Sequence, residues 1–262
     1  MDPKKYTWFN NRVFRRAVSM AIDRDAMIQS VFHGEGVKNW SSATPGNRQW
    51  YTPDLVHDDY NPTEAKRLLA GLGWRDRDED GTLEDAAGHA VTFSLKTNSN
   101  NLSRVAMANF IRDDLAKVGI RVTLAVVDFN TLSANVGRDY QYEAALLGIG
   151  GIPDVPQHQQ WRSSDILHAW NNLQPTPETP EEARIDALMD GLASTVDAPA
   201  RLTMWKEIQT IVNEQAWLIW LPIQVIKIPV RNRIGNIRPT TMFTGLEGVA
   251  WNAEQLYVRD RP

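Results

Sequence analysis

Between residues 91 and 149 the chain switches between strand and helix periods four times, and few folds accept that order. Residues 91–97 alternate apolar and polar side chains at period two, as a strand does. Residues 102–118 put Val105, Ala108, Ile111 and Leu115 on one helical face, and Gly119 stops the helix. Residues 120–127 read as a strand, 129–136 as a helix and 143–149 as a strand. β-α-β-α-β within about 60 residues predicts an α/β layered domain, because such strands align in parallel and need helices on their faces.

The flanks read as helices and loops. Asn10 or Asn11 caps a predicted helix to about Met20, with Val13, Phe14, Ala17, Val18 and Ala21 recurring at i, i+3 and i+4. Asp23 caps a second, which His33 and Gly34 end. A loop spans 34–60. Asn61-Pro62-Thr63-Glu64 then opens a short helix that ends near Gly71. After an irregular stretch, 150–180, Thr179-Pro180-Glu181-Glu182 opens a helix to about Ser194, and Asp197 caps another to about Gln215. Residues 218–230 are strand-like but carry Pro222 and Pro229, and 255–258 give a weak strand signal.

Composition removes several chemistries. Without cysteine there is no disulfide scaffold, zinc ribbon, thiol nucleophile or iron–sulfur cluster. With 28 Lys and Arg against 32 Asp and Glu and no basic block, no nucleic-acid partner is expected. No stretch approaches the ~20 apolar residues of a membrane span. The first five residues lack the apolar core of a signal peptide, which taken alone reads as cytosolic; the other reading is a leader removed at a domain boundary. No nucleophile elbow, zincin helix, Walker loop or dinucleotide fingerprint occurs, and Gly148–Gly151 is not followed by a clear helix N-terminus. A carboxylate pair assembled in three dimensions stays open at this level.

Residues 76–84 form an acidic loop. Asp76, Asp78, Asp80 and Glu84 alternate around Gly81, as the first nine positions of a calcium loop would. Position 12, which should give a bidentate Glu, is Ala87, and Arg75 and Arg77 compete for the carboxylates. Calcium binding and a solvated acidic turn are both open; otherwise no cofactor is expected.

Five ordered segments then carry a resemblance. They are Asn11-Arg-Val-Phe-Arg-Arg-Ala-Val-Ser-Met-Ala-Ile-Asp-Arg-Asp-Ala-Met-Ile, Tyr60-Asn-Pro-Thr-Glu-Ala-Lys-Arg-Leu-Leu-Ala-Gly-Leu-Gly-Trp, Asp80-Gly-Thr-Leu-Glu with Val91-Thr-Phe-Ser-Leu, Ile111-Arg-Asp-Asp-Leu-Ala-Lys-Val-Gly-Ile, and Glu182-Ala-Arg-Ile-Asp-Ala-Leu-Met. In this order the chain resembles the C-terminal half of the family 5 extracellular solute-binding proteins, receptors of ABC importers. The resemblance implies a periplasmic-binding-protein-like α/β lobe with a mixed sheet flanked by helices. It implies a linker over 1–10, the lobe over 11–220, and a segment over 221–262 that would return to a missing N-terminal lobe, or pack on its own lobe or a neighbour. It further implies non-covalent capture of a peptide or other small polar solute by hinge closure rather than an enzyme, a periplasmic or extracellular place, and a membrane permease as partner. A sensory domain of a regulator and a cleft hydrolase are the rivals.

In peptide binders of this family the loop after the third strand shows Gly-Trp and then an Asp that pairs with the peptide's ammonium group. Here Ile149 replaces that Trp, and Asp154 stands about two places late before Pro156. The resemblance therefore nominates Asp154 and His158 as ligand-binding, with Trp161 and Trp170 of the following stretch. Eight of the ten Trp divide accordingly. Trp40, Trp50, Trp161 and Trp170 lie in predicted loops and are cleft candidates, since an indole offers a large flat surface with one donor. Trp74, Trp205, Trp217 and Trp220 lie in or beside regular elements and read as core.

Overall fold

A computed structural model describes residues 2–148, 158–165, 168, 170–171, 174–240 and 247–259. Its longer helices begin where the sequence supplies a side-chain acceptor for the first unpaired N–H groups. Asp2 caps α1 (Pro3–Asn10), Asn11 caps α2 (Arg12–Ala21), and Asp23 caps α3 (Arg24–Phe32). Asn61, Asn101 and Asp128 do the same for α4 (Pro62–Gly71), α5 (Leu102–Ala116) and α6 (Phe129–Gly137). After the short α7 (His158–Trp161), Thr179 and Glu182 form a capping box for α8 (Pro180–Ser194), and Asp197 caps α9 (Ala198–Gln215). A last short helix is α10 (Glu247–Ala250). His33 ends α3 in the left-handed conformation, φ 52°, as the His-Gly pair predicts. The N-terminal segment read as a linker contains α1, and its Trp8 is buried with the Nε1 proton on Asp85 at 2.9 Å.

The strands are β1 (Gly36–Val37), β2 (Thr92–Asn98), β3 (Arg121–Val127), β4 (Ala144–Ala145), β5 (Ile223–Gln224), β6 (Ile234–Gly235) and β7 (Tyr257–Val258). The mixed sheet expected from sequence divides into a parallel core sheet of order β3-β2-β4 and two antiparallel pairs, β1-β5 and β6-β7. β2 is central. It pairs with β3 over seven residues from Thr92↔Arg121 to Asn98↔Val127, and with β4 only at Leu95↔Ala144 and Lys96↔Ala145. The predicted strand over 143–149 thus shrinks to two residues, and that over 218–230 to β5.

Two apolar clusters share the interior. Helices α1 to α5 close on the sheet around Phe14, Met27, Leu69, Phe93, Leu115 and Ile120. Helices α8 and α9 close around Ile185, Met189, Ile208, Trp50, Trp161 and Trp205. Residues 217–221 run between them: Ile219 and Leu221 lean on the first cluster, Trp217, Leu218 and Trp220 on the second. Two buried arginines fasten this segment to α2 and α3. Arg15 donates to Gln215 O (2.8 Å) and Ala216 O (3.0 Å), and Arg24 to Trp220 O (2.9 Å).

Gly119 shows why one loop position is fixed. It lies at φ +81° after α5, and a Cβ there would meet Leu83 Cγ at 2.6 Å. Gly119→Ala is expected to cost about 1–3 kcal/mol through strain and overpacking. A urea midpoint unchanged from the parent would show that Leu83 yields instead.

Candidate functional site

Beside the edge strand β4 and the first half of β2 lies a cavity of about 880 Å³, within the range of small-molecule sites. Phe93 and Leu95 of β2, and 144–148 with β4, form one wall; residues 217–224 form another; Asn101, Ser103 and Arg104 reach in from the start of α5.

Local bonds hold these walls. Lys96 Nζ donates to Asn135 Oδ1 (2.7 Å) and to the Gln141 carbonyl, which sets the approach to β4. Thr97 Oγ1 donates to Leu146 O at 3.0 Å. Glu143, the one carboxylate among the described lining residues, takes Lys5 Nζ at 2.6 Å and the Ser94 N–H and hydroxyl at 2.6 and 2.9 Å. Burial works to raise its pKa, but Lys5 and Ser94 together keep it below the usual carboxylate range. Arg15 also lines the cavity and is equally engaged, giving Nη1 to Phe9 O at 2.7 Å besides its bonds to Gln215 and Ala216. Burial, with nearby Arg12, lowers its pKa to about 10.

Arg104 differs. Its Nη1 donates to the amide oxygen of Asn98 at 2.8 Å, and no salt bridge among the described residues includes it. Burial lowers its pKa, as expected for a cation drawn partly out of water. The chain passes close beside it at Gly148, where a Cβ would stand 2.6 Å from Arg104 Nη2.

The aromatic residues fall only partly as the sequence suggests. Trp170 lines the cavity and stacks on Trp217 at 4.5 Å and 2°. Trp217 and Trp220, read as core, line it too. Trp161 is buried in the α8–α9 cluster, edge-on to Trp205 at 5.7 Å, and Trp50 is buried in the same cluster. Trp40 is buried between His57, stacked at 4.9 Å, and the Arg24 guanidinium at 4.5 Å from its ring centre. Asp154 lies outside the described residues, and His158 is described only as the first residue of α7. Sequence reasoning missed Arg104 because an arginine in a helix's first turn carries no signal of burial.

His168 is fully buried beside Trp170. Its Nδ1 meets the Arg162 carbonyl at 2.8 Å, so Nδ1 carries the proton and Nε2 is a bare acceptor, 3.9 Å from Glu182 Oε1. Burial lowers its pKa against the pull of that carbonyl and of Glu182.

In the acidic loop, carboxylate oxygens of Asp76, Asp78 and Glu84 lie within 4.8 Å of one another. Asp80 turns away to the Thr82 N–H at 2.7 Å and toward Arg121 at 3.5 Å. Asp76 accepts the Gly81 N–H at 2.9 Å, and Glu84 accepts the Arg77 N–H at 2.8 Å. The carboxylates thus cap the loop's own backbone.

Residues 1–165 match the family model described as bacterial extracellular solute-binding proteins, family 5 middle. A probable ABC transporter-binding protein of Deinococcus radiodurans is 34% identical over 149 residues, 55% of this chain and 25% of its own length. The oligopeptide-binding protein AppA of Bacillus subtilis is 28% identical over 221 residues, 82% of this chain and 39% of its own. The structure of that AppA with a nonapeptide superposes with TM-score 0.73 at 22% identity, covering 97% of this chain and 49% of that one, a likeness of fold. The chain therefore spans a quarter to about two fifths of the length of these curated relatives.

Proposed function

The chain belongs to the bacterial extracellular solute-binding proteins of family 5, and from that premise we propose that it is the C-terminal lobe of an ABC-importer receptor outside the cytoplasmic membrane. Residues 11–220 are the lobe, and 221–262 the segment that in a longer protein returns to a second lobe. The lobe holds a peptide or other small polar solute without covalent chemistry and presents it to a membrane permease. The observation that supports this best is the cavity beside β4, near which the walls are fixed by the Lys96, Thr97 and Glu143 bonds. A cleft hydrolase is disfavoured by the same cavity. Its one described carboxylate is bound to a lysine and a serine, and the His168 imidazole that also lines it is fully buried beside Glu182.

The test is mass spectrometry of solute released on denaturing a full-length protein that contains this chain, purified without added ligand. A stoichiometric small solute supports the receptor reading, and its absence together with catalytic turnover of any candidate solute overturns it. The 262-residue chain by itself is expected to bind that solute at least a hundredfold more weakly, since half the contacts and all the closure are gone. Equal affinity of chain and full-length protein in calorimetry would contradict the half-receptor reading.

A further inference from the structure

The cavity is unequal in charge. Among the described residues its lining carries one carboxylate and two guanidinium groups, and two of the three are already engaged. Glu143 is held by Lys5 and Ser94, and Arg15 by three carbonyls. Arg104 has five N–H donors and, among the described residues, one side-chain partner, a neutral amide oxygen. A half-buried cation loses hydration and recovers it only from an anion or a set of strong acceptors. Ser103 lines the cavity next to it, a residue whose hydroxyl is a donor of the kind that oxyanions accept. Gly148 keeps the space beside Nη2 clear of any side chain.

We propose that Arg104 is a specificity residue which receives an oxyanion of the captured solute, a carboxylate in the first instance, at the mouth of α5. The proposal rests on the receptor reading for its biological meaning, but its chemistry is separable from it. A planar guanidinium meets a carboxylate with two parallel N–H···O bonds, which fixes orientation as well as charge. A solute whose carboxylate is amidated keeps its shape and loses those charge-assisted bonds.

The probe is sodium acetate titrated into the 262-residue chain with ¹⁵N-labelled arginine, at constant ionic strength set with sodium chloride, and acetamide is the neutral control. Arg104 Nε–Hε, assigned from the spectrum of Arg104→Gln, is expected to shift saturably with acetate and not with acetamide or chloride. Arg104→Lys, which keeps the charge but not the fork, is expected to weaken acetate binding at least fivefold, read from the shifts of neighbouring amides. Equal shifts with chloride mean only an ion atmosphere and overturn the proposal, as does equal response to acetamide. So does an Arg104 signal that moves on Asp154→Asn and ignores acetate, which would make the partner a carboxylate of the chain itself. Released solute without an anionic group would overturn the proposal and leave the receptor reading standing.

Discussion

Arg24→Met is expected to cost the folded chain about 3–5 kcal/mol, as removal of one member of a buried charged network does. Arg24 is 2% exposed, and every face of its guanidinium is used. Nε donates to Trp220 O at 2.9 Å, Nη1 to Ser19 O at 2.9 Å and Asp58 O at 3.2 Å, and Nη2 to Ser19 Oγ at 2.9 Å. The ring of Trp40 lies under the cation at 4.5 Å. Burial lowers the pKa to about 10, against the pull of Asp58 and Asp59, so the group is charged at neutral pH. Methionine fills most of the volume but removes the guanidinium donors from the Trp220, Ser19, Ile22 and Asp58 carbonyls, of which Ser19 O keeps the Ile22 N–H. The 217–221 wall would lose its anchor to α3, with Arg15 still holding its start. Urea unfolding should show the loss as a lower midpoint, and a change below about 1 kcal/mol would mean that water replaces the guanidinium. The same variant is expected to loosen Trp220, which near-ultraviolet circular dichroism would record.

This clasp marks how far the sequence could be read. The helix starts were legible because their causes are local: Asn11, Asp23, Asn61, Asn101, Asp128, Thr179 and Asp197 each lie within three residues of the N–H they accept. β2 and β3 were legible from alternation, since each buries one face more than the other. β4 was overextended because an apolar run cannot say how many of its residues find a partner strand. The arginines of the 11–28 segment look like the polar face of an amphipathic helix. Their acceptors lie 201 and 196 residues away in sequence, where no local pattern reaches. The tryptophans were misplaced for the same reason. Trp40 in a loop and Trp161 at the end of the short α7 find distant rings and a cation to pack on, whereas Trp217 and Trp220 sit in an apolar run that becomes a cavity wall. The candidate site is therefore less legible than the fold, because a site is made of the surfaces that elements leave open.

Glu182→Gln is expected to destabilise the α8–α9 half by about 3 kcal/mol, because a carboxylate that is 3% exposed serves four donors at once. Trp170 Nε1 donates to Oε1 at 2.9 Å; Gln174 Nε2 and the Glu178 and Thr179 N–H groups donate to Oε2 at 2.9, 2.9 and 3.0 Å. A glutamine amide can place an oxygen toward one side only, so its NH₂ must face donors on the other. Burial raises the pKa of Glu182, but the four donors outweigh it and hold the group below its ordinary 4.5. The unfolded chain therefore binds this proton first: the stabilisation is fully present above pH 4.5 and is lost as pH falls through the lower folded value. His168 acts in the same direction at higher pH. Its folded pKa lies below the ordinary 6.5, so unfolding takes up a proton there and stability falls as pH drops from 6.5. Urea midpoints recorded from pH 7.5 to pH 3.5 should thus decline in two stages. Glu182→Gln should start lower at neutral pH and flatten the second stage, while losing its pull on His168 deepens the first. Parallel profiles for variant and parent would mean that Glu182 ionises in the folded chain as it does in the unfolded one, and an unchanged midpoint at neutral pH would mean that the Trp170–Glu182 bond contributes nothing to holding the cavity's aromatic wall.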